Sequence, residues 1–400
     1  MRIGIFTDSY FPQVSGVATS IQTLKEELET HGHEVVIFTT TDPKADKHEP
    51  GIVRFASIPF FSFKDRRVAF RGMLSALRKS KEFGLDLVHT HTEFSLGLTG
   101  KYVAHQLGIP CVHTYHTMYE DYLHYVAKGK VLRPSHVKLV SRHFCNQTAG
   151  VIAPSEKAKN KLLFYGVKQD IRVIPTGVNL EKLRAPSIRN IREELAIGED
   201  ELVLLSLSRL AHEKNIGAIL KAFPIVLKEY PTAKLIVVGD GPIRDELEQL
   251  SAALNITNSV RFTGEVHVDE VNAYYQASDL YVNASTSESQ GLTYIEAIAA
   301  GTNIVAKSSP YTDMLIYSGK LGKTYRQDEE LGQTILDYLR NFDTQKNNAS
   351  NTIDRKKLLQ SISSTVFGEE VLKYYEEAMQ TYQQEKPVEP KYYRKSVRRG

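Results

Sequence analysis

The chain has 400 residues, 42% of them apolar, and its formal net charge is only +3. That length supports two domains with separate cores, and a charge so near balance excludes a chain drawn to nucleic acid by its overall field. No apolar run approaches the ~18 residues of a membrane span, Met1 leads straight into a strand pattern with no signal sequence, and the two cysteines, Cys111 and Cys145, lack a metal-ligand spacing and fit a reducing compartment, so a cytoplasmic protein is expected.

From Met1 to about Ala306 short β-branched runs alternate with amphipathic segments, the pattern of doubly wound parallel sheets in an α/β protein. The first strand is Arg2 to Phe6, followed by a loop to Ser15, a helix from about Val17 to Thr30 and a parallel strand from Val35 to Thr39. Gly16 lies at the mouth of that first strand-to-helix turn, where the lack of a side chain lets a phosphate or sugar come close to the backbone. Many α/β turns need a glycine for geometry alone, and there is no Gly-x-Gly-x-x-Gly to indicate a dinucleotide site. Residues 60–81 mix aromatic and aliphatic side chains with Lys64, Arg66, Arg67, Arg71, Arg78, Lys79 and Lys81 against the single acid Asp65. Anionic headgroups attract such a segment by about 1 kcal/mol per basic residue, although a solvated helix with ordinary basic decoration reads the same from pattern alone. Further strands are Leu85 to Thr90, Ile109 to Tyr115 and Val151 to Ala153. A boundary is expected near Thr176 to Asn179, giving domains over 1–185 and 186–365, a helix over 366–385 and a basic tail over 386–400.

In the second half the strands are Leu202 to Ser208, Lys234 to Val238, Val260 to Thr263, Leu280 to Asn283 and Asn303 to Ala306. Arg209 and Lys214 follow the first of these, at the carboxyl edge where open α/β sheets bind ligands. A guanidinium can grip two phosphate oxygens and an ammonium can add a point charge, so the pair suits a diphosphate. Asp240-Gly241-Pro242 reads as a sharp turn after the next strand. Late in the chain Glu288 falls on a turn-rich loop and Glu296 just inside a helix that begins near Leu292 and stops at Gly301. The backbone N–H groups of residues 290–293 lie between these carboxylates, where a helix dipole favours a phosphate. Residues 328–351 are expected as surface helices and a loop, and a final helix runs from Val366 to Gln384.

Taken in order, Ser15-Gly16, His116, Arg209 with Lys214, Gly239-Asp240-Gly241-Pro242 and Glu288 to Glu296 resemble the family 4 retaining glycosyltransferases of the GT-B fold. The resemblance implies two Rossmann-like domains facing a cleft, the first for the acceptor and membrane and the second for a nucleotide sugar. It also implies that Arg209 and Lys214 bind the donor diphosphate, Glu296 the ribose and Glu288 the transferred sugar. Gly16, Gly291, Leu292 and Thr293 complete the phosphate contacts, Asp240 and Gly241 belong to the donor site, and Glu265 and Val266 lie near the base.

The runs His89 to Gly97 and His113 to Tyr125 narrow the likeness to the bacterial diacylglycerol glucosyltransferases. By that likeness the enzyme is a hexosyltransferase moving glucose from UDP-glucose to the 3-hydroxyl of 1,2-diacylglycerol with retention, peripheral on the inner face of the cell membrane. Its partners would be diacylglycerol and an anionic phospholipid surface, with no nucleic acid. His116 joins Glu288 as a catalytic group, and Tyr119, Asp121 and Tyr122 shape the acceptor pocket. There is no Asp-x-Asp and no ligand cluster at metal spacing, so no cofactor or catalytic metal is expected, and Arg209, Lys214 and helix ends meet the leaving-group charge. Transfer to a lipid already bearing one sugar, transfer to a soluble acceptor, and a non-catalytic binder on the same fold remain open.

Overall fold

A computed structural model describes residues 1–120 apart from 14, 47, 48, 61 and 62, then residue 123, residues 133–341 apart from 317, 318 and 320, and residues 353–385; the side chains of 60, 63–66, 341, 353, 354 and 385 fall outside it. The chain forms two compact units, Met1–Gly177 together with the helix Ser364–Glu385, and Val178–Ser363. The division falls at Gly177, within the boundary expected near Thr176 to Asn179 and short of the 185 given as the first domain's end, because Val178 bridges to Ser363 and Leu183 is buried in the second unit's core.

The first unit is built on a parallel sheet of β1 (Arg2–Phe6), β2 (Glu34–Thr40), β3 (Ile52–Phe55), β6 (Leu87–Thr90), β7 (Cys111–Thr114), β8 (Gly150–Ala153) and β9 (Ile171–Val173), in the order β3-β2-β1-β6-β7-β8-β9. Between β3 and β6 the antiparallel pair β4 (Ser57–Phe60) and β5 (Phe63–Ala69) stands apart from that sheet. Strand alternation sorts the core into two layers. Ile3, Ile5, Val35 and Ile37 pack with Leu24 and Leu28 of the helix Gly16–Thr30 and with Val371 and Tyr375 of the helix Ser364–Glu385. Phe6, Val36 and Phe38 point the other way, onto Ala76 of the helix Met73–Phe83 and Leu96 and Val103 of the helix Ser95–Leu107.

The second unit repeats the plan with β10 (Val203–Leu207), β11 (Lys234–Val238), β12 (Val260–Gly264), β13 (Leu280–Asn283), β14 (Asn303–Lys307) and β15 (Gly322–Tyr325), all parallel in the order β12-β11-β10-β13-β14-β15. Leu204, Leu235, Val237 and Val305 face one core, whereas Leu205, Ile236, Val238 and Ile304 face the other. Residues 328–341 depart from the expected surface segment: the helix Leu331–Asn341 buries Leu331, Ile335, Leu336, Tyr338 and Leu339 in the first of these cores. The basic tail of 386–400 lies outside the described residues.

Candidate functional site

Because both sheets are parallel, the residues that follow their strands gather at one edge of each unit, the edge where ligands of open α/β sheets bind. In the second unit Arg209 follows β10, Asp240 follows β11, Glu265 follows β12 and Glu288 follows β13. The loops are held together by backbone. Leu210 N–H donates to the Asp240 carbonyl at 2.9 Å and Gly239 N–H to the Gly264 carbonyl at 2.9 Å. Gly239 has φ +126°, and a Cβ there would stand 2.0 Å from the Ser208 carbonyl oxygen, so only glycine permits this approach.

Lys214 closes the 3₁₀ turn His212–Lys214 and its ammonium lies 2.6 Å from Glu288 Oε1, both side chains being about four-fifths covered at 18% and 22% exposure. The loop bearing Glu288 is anchored where Thr286 N–H donates to the Glu213 carbonyl at 3.0 Å. Gly291, at φ +76°, opens the helix Leu292–Ala299, and no side chain caps that helix start. Glu296 lies one turn inside. The Tyr275 hydroxyl donates to its Oε2 at 3.0 Å, and burial raises its carboxyl above the usual range against the opposite pull of that hydrogen bond.

Three further tyrosine contacts support the loop: Asn283 Nδ2 donates to Tyr281 at 2.9 Å, Tyr294 donates to Asn283 Oδ1 at 3.1 Å, and Tyr281 donates to the Leu207 carbonyl at 3.2 Å. Sequence reasoning missed Tyr275, Tyr281, Asn283 and Tyr294, because nothing in their spacing distinguishes a polar scaffold from core.

Several expected donor residues are placed less directly. The Asp240 carboxylate accepts from Gly241 N–H at 2.7 Å and pairs with Arg244 at 3.3 Å, so it is occupied by its own turn. Glu265 is exposed beyond β12, and Val266 packs against the second unit's core. Leu292 is half-buried and the Thr293 carbonyl accepts from Tyr275 at 3.3 Å. Among the described residues no group of three or more His, Cys, Asp or Glu side chains is arranged to hold a metal ion.

In the first unit Ser15 caps the helix Gly16–Thr30 by accepting from Ala18 N–H at 3.2 Å, which leaves Gly16 at its first position. His91 follows β6 and His116 follows β7, and their rings meet with His116 Nε2 2.8 Å from His91 Nδ1. Burial, with His113 nearby, pushes the His116 imidazole down to about 3, so the ring is neutral at physiological pH. Tyr119 donates to Glu93 and packs edge-on to Phe94 with centroids 5.4 Å apart. Asp121 and Tyr122 lie outside the described residues.

The basic segment is a hairpin followed by the helix Met73–Phe83. The side chains of Lys64 and Arg66 fall outside the description. Arg67 is not free for a surface: its Nε donates to Ser57 Oγ at 2.9 Å and its Nη2 to the Ser57 carbonyl at 2.8 Å. Arg71, Arg78, Lys79 and Lys81 are exposed, beside Phe70 at 55%, Met73 at 45% and Leu74 at 75% exposure. No helix among the described residues is long and apolar enough to cross a membrane.

Residues 14–182 match the family model described as Glycosyltransferase Family 4, and residues 187–355 match that of Glycosyl transferases group 1. The chain is 49% identical over 385 residues to the alpha-monoglucosyldiacylglycerol synthase of Streptococcus pneumoniae, covering 95% of this chain and 86% of that one. It is 37% identical over 350 residues to the enzyme of the same name from Acholeplasma laidlawii, covering 84% and 87%. The fold matches that of Anabaena HepE in complex with UDP, with TM-score 0.74 at 19% identity over 94% of this chain and 100% of that one.

Proposed function

The chain belongs to the family 4 glycosyltransferases of the GT-B fold, and on that premise we propose that it transfers glucose from UDP-glucose to the 3-hydroxyl of 1,2-diacylglycerol, with retention, on an anionic membrane surface. The observation that carries the reading is the gathering of Arg209, Lys214, Glu288 and Glu296 at one sheet edge, in a chain so similar to two bacterial lipid glucosyltransferases.

In the proposed step the bond from the sugar C1 to the diphosphate oxygen breaks, the acceptor oxygen bonds to C1 on the same face, and the acceptor proton passes to the departing diphosphate. Arg209 and Lys214 meet the charge on that leaving group, aided by the uncapped start of the helix Leu292–Ala299. Glu296 holds the ribose hydroxyls. Glu288, kept in place by Lys214, orients the sugar and stabilises its positive character. No metal is assigned a part in this step, in which Arg209, Lys214 and the helix start meet the leaving-group charge. The helix Met73–Phe83 and the exposed residues before it supply the lipid contact, so the protein acts as a peripheral enzyme on the inner face of the membrane.

Incubating the protein with radiolabelled UDP-glucose and vesicles containing diacylglycerol tests this reading. Label should enter the organic phase as a monoglucosyl lipid, rise when anionic phospholipid is included, and persist in EDTA. Label entering only a lipid that already carries one sugar, or only a soluble sugar acceptor, would overturn the proposed acceptor, and loss of transfer in EDTA would overturn the metal-free step.

A further inference from the structure

At the carboxyl ends of β6 and β7 three imidazoles stand in line. His116 Nε2 is 2.8 Å from His91 Nδ1, and His91 Nε2 is 3.2 Å from His89 Nδ1. His89 Nδ1 in turn is 2.6 Å from the hydroxyl of Tyr375 on the helix Ser364–Glu385, while His89 Nε2 is 2.7 Å from Thr114 Oγ1. His89 is 0% and His91 2% exposed, so the links between them are made without solvent. Desolvation lowers both rings well below the ordinary histidine range, so each is neutral and carries one N–H and one lone pair. His113, the neighbouring ring on β7, is turned to Thr90 and Glu93 and stays out of the line.

The direction of the line follows from where each proton can go. Tyr375 is fully buried, and His89 is its only hydrogen-bond partner among the described residues. A buried hydroxyl left without an acceptor costs about 1–3 kcal/mol, so Tyr375 donates to His89 Nδ1, which is therefore the bare nitrogen. His89 Nε2 then carries the hydrogen and donates to Thr114. His91 Nε2 faces the bare nitrogen of His89, and two lone pairs repel, so His91 Nε2 carries its hydrogen and His91 Nδ1 is bare. His116 Nε2 must then donate to it, and His116 Nδ1 is left as an acceptor on a half-buried ring.

We propose that His91 is a positioning residue for His116, holding it in the tautomer whose Nδ1 accepts a hydrogen bond from a substrate hydroxyl, and that Tyr375, acting through His89, sets that tautomer. His91 thus does for His116 what a carboxylate does behind the histidine of a hydrolase, with a neutral acceptor in place of a charged one. A helix near the far end of the chain thereby acts on the candidate catalytic histidine of the first unit. The catalytic half of this inference rests on the function proposed above, whereas the tautomer itself does not.

The test is a long-range nitrogen–proton spectrum of the full chain labelled with ¹⁵N-histidine, with His116 assigned from the His116→Gln variant. The expected spectrum shows His116 protonated at Nε2 in the natural chain and in exchange between tautomers in Tyr375→Phe, which keeps the ring and removes only the hydroxyl. In the vesicle assay His91→Phe should lose at least about tenfold in kcat with KM for UDP-glucose changed by no more than about twofold, and His91→Asn, whose Oδ1 falls near the place of Nδ1, should recover most of the loss. His116 protonated at Nδ1 in the natural chain, or equal kcat for His91→Phe and His91→Asn, would overturn the proposal. The spectrum needs no substrate, so a protein that fails to use UDP-glucose would sink the proposed function while the tautomer is still decided.

Discussion

Lys214 and Glu288 form an ion pair that retains partial solvent contact, and such pairs contribute about 0–1 kcal/mol to stability. The same groups placed against charge that develops in a transition state contribute about 2.7–4 kcal/mol. The two roles separate by magnitude: Lys214→Ala and Glu288→Gln should each lower kcat/KM by about a hundredfold or more while the melting temperature hardly moves, and a large fall in melting temperature with an unchanged kcat/KM would make the pair structural. Tyr275→Phe takes the hydrogen bond from Glu296, and KM for UDP-glucose should then rise by about tenfold, the equivalent of one net hydrogen bond to a carboxylate. At this scale the positions of Arg209, Lys214 and Glu288 were legible because each lies beyond a strand at the expected edge, and that of Glu296 because the helix start after Gly291 is marked in the sequence. Tyr275, His91 and Tyr375 were not, since their roles come from contacts that the chain order conceals. His89 and Tyr375 are 286 positions apart.

Among the elements, the segment proposed to meet lipid carries the clearest departure from expectation. Charge alone placed Arg66 and Arg67 among its contacts, but β5 turns Arg67 back onto Ser57, where the guanidinium holds the hairpin together. The lipid-facing candidates move to the helix Met73–Phe83, whose Ala76 and Ser80 are buried while Leu74 and Arg78, one turn apart, are exposed. The double variant Leu74→Asp, Arg78→Glu should therefore reduce sedimentation with anionic vesicles and leave the far-ultraviolet spectrum unchanged. Sedimentation equal to that of the natural chain would remove this helix from the membrane contact. The long buried strands were legible from their β-branched runs. The hairpin was not, because a run such as Phe63–Ala69 is too charged to alternate cleanly. β9 (Ile171–Val173) and β15 (Gly322–Tyr325) were not legible either, because each carries a charged residue and is only partly buried, so neither forms an apolar β-branched run.

Across the whole molecule each unit has its own core, and the first also buries neutral histidines that set a pH dependence. His89 and His91 are held neutral by desolvation, whereas in the unfolded chain a histidine takes up a proton near pH 6.5. Below that pH the unfolded state binds more protons than the folded one, so each ring removes about 1.4 kcal/mol of stability per unit of acidification. Asp8 and Glu296, raised by burial, act in the opposite sense, adding stability as pH falls through their raised values toward the ordinary carboxylate range. The melting temperature should thus fall between about pH 7.5 and pH 5.5, and a flat profile there would contradict neutral burial of the two rings.

Glucosyl transfer is tested most directly by the product itself. The protein, UDP-glucose and anionic vesicles bearing 1,2-diacylglycerol should yield a single glycolipid whose proton resonance spectrum shows one α-linked glucose on the 3-hydroxyl of the glycerol. A β-linked sugar would contradict retention, and the absence of any glucosyl diacylglycerol, with the protein folded and the vesicles bound, would contradict the proposed reaction.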